Sequence, residues 1–429
     1  MRKIIIFCVI IIPVFSIYAQ PVNFDNYFIN KTMRFDFFHT GTRNSEIISF
    51  DKIKMEPYWS GSKNDLIDKT NFGKYIFKIF DVESNQLLFS QGFCSVFGEW
   101  QTTTEAVYNL TRTFHESVLF PFPKKKVKLE IYTRDKANYF KSIYYRIIDP
   151  DWILIKKDIK YTNFKVVDII NNGDPDKKVD ILILGDGFTK AELPALKKAA
   201  DEKVDNLFST EPFKSNKKNF NVRLIESVSE ESGIDQPNRN IFKNSILDCS
   251  FDAFELDRYV LTYANEKLRD IAANAPYDYI CIIANSPIYG GGGIFKLYSI
   301  STLDQKRKFF LFVHEFGHQF AGLGDEYFSS AVAYNEFYPT DVEPWEVNLT
   351  ALHDKKNVKW KGMIPEGTPV PTPDEEKYNN IVGVFEGGGY ASKGIFRPFI
   401  NCIMRTSQVT EFCPVCRSGL QEVIDRYSK

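Results

Sequence analysis

The rhythm of apolar residues changes once along this chain, and the change falls at "NNGDPDKK", residues 171–178. Before it, from about Thr32 to Tyr161, stretches such as "MRFDFFHTG", "GKYIFKIFDV" and "KVKLEIYTRD" alternate apolar and polar residues, punctuated by Gly, Asn, Asp or Pro. A period of two predicts half-buried antiparallel strands, and hence an all-β sandwich. After it, "VDILILGDGFT" reads as a fully buried strand and "KAELPALKKAADEKVDNLF" as a helix. "FNVRLIESV" and "YDYICIIANS" read as further strands, with "FELDRYVLTYANEKLRDIAANA" as a helix between them. Strands alternating with helices predict an α/β layer on a mixed sheet. The chain of 429 residues is therefore expected to be multidomain, with the β-sandwich over 20–165 and the α/β domain over 166–429. The Pro- and Gly-rich stretch from Pro365 to Arg397 is expected to be irregular, and "CRSGLQEVIDRYS" helical.

The first nineteen residues belong to neither domain. "MRKIIIFCVIIIPVFSIYA" has a basic pair, an uncharged apolar run and a small residue at its end, the pattern of a secretory signal cleaved after Ala19. The run is shorter than the ~20 residues a span needs and contains Pro13, so no membrane span is expected once the signal is removed. Export to the periplasm, the cell surface or the medium follows. A net charge of −1 and only short basic runs, such as "FPKKKVKLE", exclude a nucleic-acid-binding field. Export permits disulfides. Three of the six remaining cysteines crowd into "NCIMRTSQVTEFCPVC". A Cys-only zinc site needs a fourth cysteine there, so a local disulfide is expected instead.

Two of the five histidines, His314 and His318, stand four residues apart in "VHEFGHQFAGLGDEY". Thr302 and Gln305 fit a capping box that would start a helix near Leu303, and Gly322 would stop it. Phe309, Phe312, Val313, Phe316 and Phe320 share one stripe of that helix; Phe310, His314, Gly317, His318 and Ala321 share the opposite side. A helix apolar nearly all round is buried, and two buried imidazoles beside Glu315 are costly unless a metal takes their lone pairs. Ring nitrogens at i and i+4 suit two ligands of one Zn²⁺. The turn after Gly322 delivers two carboxylates, Asp325 and Glu326, either of which is placed to be the third ligand.

"HEFGHQFAGLGDEY" followed by "NCIMRTS" resembles the metzincin type of zincin metallopeptidase, and most closely peptidase family M64, the IgA peptidase family. "SGIDQPNRNIFKN", "GGGGI", "VFEGGGYASKGIFRPFINCIM" and "FCPVC" extend the resemblance over the mature chain. It implies an N-terminal β-domain followed by a zincin-like α/β (α+β) catalytic domain. A metzincin's third ligand lies six residues after the second histidine. That position is Gly324 here, so one extra turn residue makes Asp325 the nearest match and leaves Glu326 as the alternative. The resemblance further implies a Met-turn at Met404 and a substrate-binding edge strand beside residues 294–300, with Gly293, Ile294 and Phe295 as its site residues.

The expected activity is zinc-dependent endopeptidase hydrolysis of extended protein segments, with Glu315 as general base and Tyr327 as an oxyanion donor. Host secreted proteins such as immunoglobulin are candidate substrates under the family resemblance. Two other readings are an exported binding or adhesion protein on an inert zincin-like scaffold, and a zinc hydrolase of non-peptide substrates. The first leaves Glu315 and both histidines unexplained.

Overall fold

The computed structural model describes residues 22–157, 164–303, 308–328 and 337–428. The expected signal peptide and Gln305 of the expected capping box lie outside these residues. Among the described residues no helix is long and apolar enough to cross a membrane.

The N-terminal region is two facing antiparallel sheets. A helical turn, α1 (Phe24–Tyr27), leads into β1 (Phe28–Thr42) and β2 (Ser45–Glu56), then β3 (Tyr75–Asp81) and β4 (Leu87–Phe93). Two short helices, α2 (Val96–Trp100) and α3 (Thr104–Val107), precede β5 (Arg112–Pro123), β6 (Val127–Arg134) and β7 (Phe140–Ile148). One sheet has the order β2-β1-β5 and the other β4-β3-β6-β7. Alternation does what the sequence pattern implies: Val127, Leu129, Ile131 and Thr133 of β6 are buried while the residues between them are half-exposed. Val127, Leu129 and Ile131 meet Phe35, Phe37, Phe77 and Phe120 in one aromatic-rich core between the sheets.

The outer face of β1 and β2 docks on the rest of the protein through buried charges. Arg34 is fully buried and reaches Asp36 (3.0 Å), Glu56 (3.2 Å) and Asp270 (2.8 Å). Lys54 joins the network at Glu266 (2.9 Å) and Asp270 (2.8 Å). Removing one partner of a buried pair leaves uncompensated charge, which costs more than the pair contributes. Arg34→Met should therefore destabilise the protein by about 3–5 kcal/mol. A denaturant midpoint within about 0.5 kcal/mol of wild type, the range of a neutral surface change, would contradict this.

The second region is built on a six-stranded sheet: β8 (Val166–Ile170), β9 (Val179–Asp186), β10 (Phe220–Ile225), β11 (Tyr279–Ala284), β12 (Gly291–Ile294) and β13 (Tyr298–Thr302). Its order is β12-β13-β11-β9-β10-β8. The four central strands are parallel, and the edge strands β8 and β12 are antiparallel to their neighbours. Both faces are covered, as a parallel core requires. α4 (Leu193–Leu207), α6 (Lys308–Ala321) and α7 (Pro414–Ser428) share one core with Ile181 and Ile183 of β9. α5 (Asn265–Ala272) packs on Leu182 and Leu184 from the other side.

Three expectations need correcting. The helix expected from Phe254 begins only at Asn265. After a 3-10 turn at Ala253–Glu255, residues 256–264 run as a loop, where β-bridges from Tyr259 to Gly291 and from Leu261 to Ser250 satisfy backbone groups that a helix would have used. Leu303 is not helical, and the Thr302 hydroxyl accepts from Gly290 N–H (3.2 Å) at the end of β13, while residues 304–307, where the expected capping box would act, lie outside the described residues. The stretch expected to be irregular contains a hairpin, β14 (Phe385–Gly388) and β15 (Ala391–Arg397), turned by Gly389 and Tyr390 at φ of +54° and +66°, with an irregularity in β14 at Gly387 (φ +96°).

Candidate active site

Helix α6 separates core from cleft. Phe312, Val313, Phe316 and Phe320 pack into the main core, and His314, Glu315 and His318 line a cavity of about 650 Å³. The helix ends at Ala321, where Gly322 at φ +59° donates its N–H to His318 O (2.9 Å), a left-handed cap. The chain then doubles back and brings Asp325 under the two imidazoles.

Three donor atoms converge there. His314 Nε2 lies 3.2 Å from His318 Nε2 and 3.2 Å from Asp325 Oδ1, and His318 Nε2 lies 3.4 Å from the same oxygen. Bonds of about 2.0–2.1 Å at tetrahedral angles put ligand atoms about 3.3 Å apart, so one ion fits equidistant from all three. The outer atom of each side chain is held. His314 Nδ1 bonds Ile403 O (3.0 Å), His318 Nδ1 bonds Leu323 O (2.5 Å), and the Tyr390 hydroxyl donates to Asp325 Oδ2 (2.5 Å). These contacts fix which nitrogen of each ring faces the centre, the arrangement that orients metal ligands. Asp325 Oδ1 is buried without a hydrogen-bond donor, so it needs a cation or shared proton there. Burial would lower the pKa of His318, but Asp325 and then Glu315 raise it to about 9. Burial would raise Asp325, but His318 and His314 hold it well below the usual carboxylate range.

Glu315 offers a carboxylate oxygen within 4.8 Å of the two ring nitrogens. Burial raises its pKa, and the adjacent imidazoles pull the other way. Opposite it runs β12, the outermost strand of the sheet. A Cβ on Gly293 would stand 2.3 Å from Glu315 O and 3.0 Å from His318 Cβ, so only glycine lets strand and helix approach this closely. The expected edge strand at 294–300 is thereby corrected to 291–294. Gly293 and Ile294 lie in it, Phe295 sits in the following turn, and 298–302 is an interior strand. Gly291 bonds outward, its N–H to Arg258 O (3.1 Å) and its carbonyl to Val260 N–H (3.1 Å). Strand alternation points the N–H and C=O of Gly293 the same way, into the cleft.

Sequence reasoning missed several groups at this cleft. Arg258 came with the loop misread as helix; it faces Tyr327, Asp325 and Glu315. Tyr327, which the sequence had named, lies beside it within hydrogen-bond reach of Asp325, and burial pushes its hydroxyl pKa well up. Tyr390 is carried by the missed hairpin, whose turn is tied to the ligand segment by Gly389 N–H to Asp325 O (2.8 Å) and Tyr390 N–H to Tyr327 O (3.0 Å). The run Gly387-Gly388-Gly389 leading into that turn was the available signal. Lys74, Glu99 and Arg134 of the β-sandwich form the facing wall, a long-range pairing with no local sequence signature.

Met404 is fully buried beneath the site. Its carbonyl accepts from Glu326 N–H (2.9 Å), and its sulfur sits 3.0 Å from where a Cβ on Gly317 would stand. Glu326, the alternative third ligand, points away from the histidines; its Oε1 lies 3.1 Å from Cys416 Sγ. The expected local disulfide is absent: Cys402, Cys413 and Cys416 are free, with Cys402 Sγ and Cys416 Sγ 3.8 Å apart.

No curated protein matches the chain. The family described as IgA Peptidase M64 matches residues 167–378 and 374–424, and the one described as Peptidase M64 N-terminus matches residues 23–145. Those two matches cover both halves of the architecture, and the chain belongs to peptidase family M64.

Proposed function

We propose that this peptidase is an exported zinc metalloendopeptidase in which His314, His318 and Asp325 hold the ion and Glu315 is the general base. The observation that carries the reading is the triangle of donor atoms with edges of 3.2, 3.2 and 3.4 Å. A zinc ion held there supplies Lewis-acid chemistry, acidifying water and polarising the scissile carbonyl. Glu315 takes the proton from the attacking water and returns it to the leaving amine. Arg258 and Tyr327 stand on the same wall as donors for the negative charge that develops on the carbonyl oxygen. Metal analysis tests the ligand set: the His314→Ala/His318→Ala double variant should lose one zinc per chain and all hydrolysis. Unchanged zinc in that variant sinks the assignment.

The outward N–H and C=O of Gly293 favour a substrate bound as an extended strand along β12. Flexible linkers should then be cut and compact domains spared. Gly293→Ala, whose Cβ would collide with Glu315 O, should lower kcat/KM by about 100-fold, as an ångström-scale misplacement does. Near-wild-type hydrolysis by that variant contradicts the close approach. Cleavage-site profiling of secreted host proteins, immunoglobulins among them, against a Glu315→Gln control identifies the substrate class. Export rests on the N-terminal pattern, and the protein recovered from cell fractions should begin at Gln20. An intact N-terminus on cytoplasmic protein contradicts it.

A further inference from the structure

On the far side of the Asp325–Glu326 peptide, four buried groups converge: Cys402, Cys413, Cys416 and Glu326, each offering a ligand atom within 4.8 Å of the others. We propose that they form a second, structural zinc site that fixes the geometry of the catalytic one.

The spacings suit a tetrahedral ion. Zn–S bonds of about 2.3 Å place two sulfurs about 3.8 Å apart, and a sulfur and a carboxylate oxygen about 3.5 Å apart. Cys402 Sγ and Cys416 Sγ are 3.8 Å apart, and Glu326 Oε1 lies 3.1 Å from Cys416 Sγ and 3.9 Å from Cys413 Sγ. The sequence lacks a fourth cysteine here, and the carboxylate takes that place.

An independent observation points to a ligand. Glu326 is fully buried, and although its Oε1 accepts from Asn348 Nδ2 (3.0 Å), its Oε2 has no partner. A buried carboxylate oxygen left bare is costly, and a cation beside it removes the cost. Backbone groups are already arranged for thiolates. Met404 N–H (3.5 Å) and Cys413 N–H (3.2 Å) point at Cys402 Sγ, and Cys416 N–H (3.5 Å) points at Cys413 Sγ. Cys413 also immediately precedes Pro414, the first residue of α7, where the helix N-terminus favours negative charge. A redox role for the Cys413–Cys416 pair is excluded by access: they are 2% and 0% exposed, and thiol exchange needs an incoming sulfur to reach one of them.

Such a site would tie three segments at one point. Glu326 follows Asp325 directly. Cys402 precedes Ile403, whose carbonyl orients His314, and Met404, whose carbonyl accepts from Glu326 N–H. Cys413 and Cys416 anchor α7. The four groups thus act as positioning residues for the catalytic centre.

The test uses the mature full chain. Wild type should hold two zinc ions per chain, and His314→Ala/His318→Ala one. Cobalt loaded into that double variant should give the near-ultraviolet thiolate-to-cobalt charge-transfer band, which histidine and aspartate ligands cannot produce. Alkylation in denaturant and chelator without reductant should modify all six cysteines. Cys413→Ser should reduce the band, since two thiolates remain, and weaken the remaining catalytic zinc by about 10–100-fold, the usual effect of disturbing residues behind a metal ligand. Because the cobalt spectrum is read with the cysteines intact, a misfolded Cys413→Ser protein does not spare the proposal. Two cysteines resistant to alkylation would mean a disulfide, and six free thiols without the band would mean hydrogen-bonded thiols; either overturns it. If the catalytic assignment alone is wrong, the band persists while the histidine variant keeps its full zinc content.

Discussion

Glu315→Gln should lower kcat by about 10²–10⁴-fold, the range general acid–base catalysis contributes, while the zinc content stays that of wild type. The amide keeps the shape of the side chain and removes the proton acceptor. The imidazoles of His314 and His318 keep their second nitrogens bonded to Ile403 O and Leu323 O, so the ligand geometry has no reason to change. KM should move little, because Glu315 acts on the water and not on the peptide. Steady-state hydrolysis of an unstructured peptide, paired with metal analysis of the same preparation, reads both quantities. A variant that lost its zinc along with its activity would make Glu315 a ligand, and one with undiminished kcat would remove it from the chemistry.

Asp325→Ala should abolish hydrolysis as fully as His314→Ala does, at any zinc concentration the protein tolerates. Its Oδ1 is the only carboxylate oxygen placed 3.2 and 3.4 Å from the two ring nitrogens among the described residues. Glu326→Ala should behave differently. Its carboxylate faces the three cysteine sulfurs and Asn348, so the loss acts on the catalytic ion only through the backbone and through Met404. Added zinc should restore a substantial part of its activity, as expected for a loss of about 10–100-fold in affinity. Rescue of Asp325→Ala by zinc with Glu326→Ala left inactive would exchange the two roles.

What was legible in the sequence follows from how local each signal is. Strand β6 declares itself because Val127, Leu129 and Ile131 alternate with polar neighbours, and β9 because every residue from Val179 to Asp186 is buried. The histidine pair is legible because helical spacing alone brings i and i+4 together. Residues 254–264 misled because their apolar spacing also fits a helix, and their real backbone partners, Gly291 and Ser250, are remote or irregular. The edge strand was misplaced by a few residues for a related reason. The expected stretch begins at 294, whereas Gly291, Gly292 and Gly293 belong to the strand itself; Gly291 and Gly293 face α6, and Gly292 faces Tyr259 and Val260. Of the two carboxylates after the glycine turn, no local rule says which reaches the histidines. That depends on Tyr390 and Met404, which arrive from 65 and 78 positions away in sequence to hold Asp325 and Glu326.

The most direct measurement is zinc reconstitution. Protein stripped of the ion between His314, His318 and Asp325 should not hydrolyse peptide, and activity should return in proportion to zinc, reaching its plateau at one ion bound per catalytic site. His314→Ala, treated identically, should stay inactive. Full hydrolysis by wild-type protein shown to be free of that ion would contradict the account.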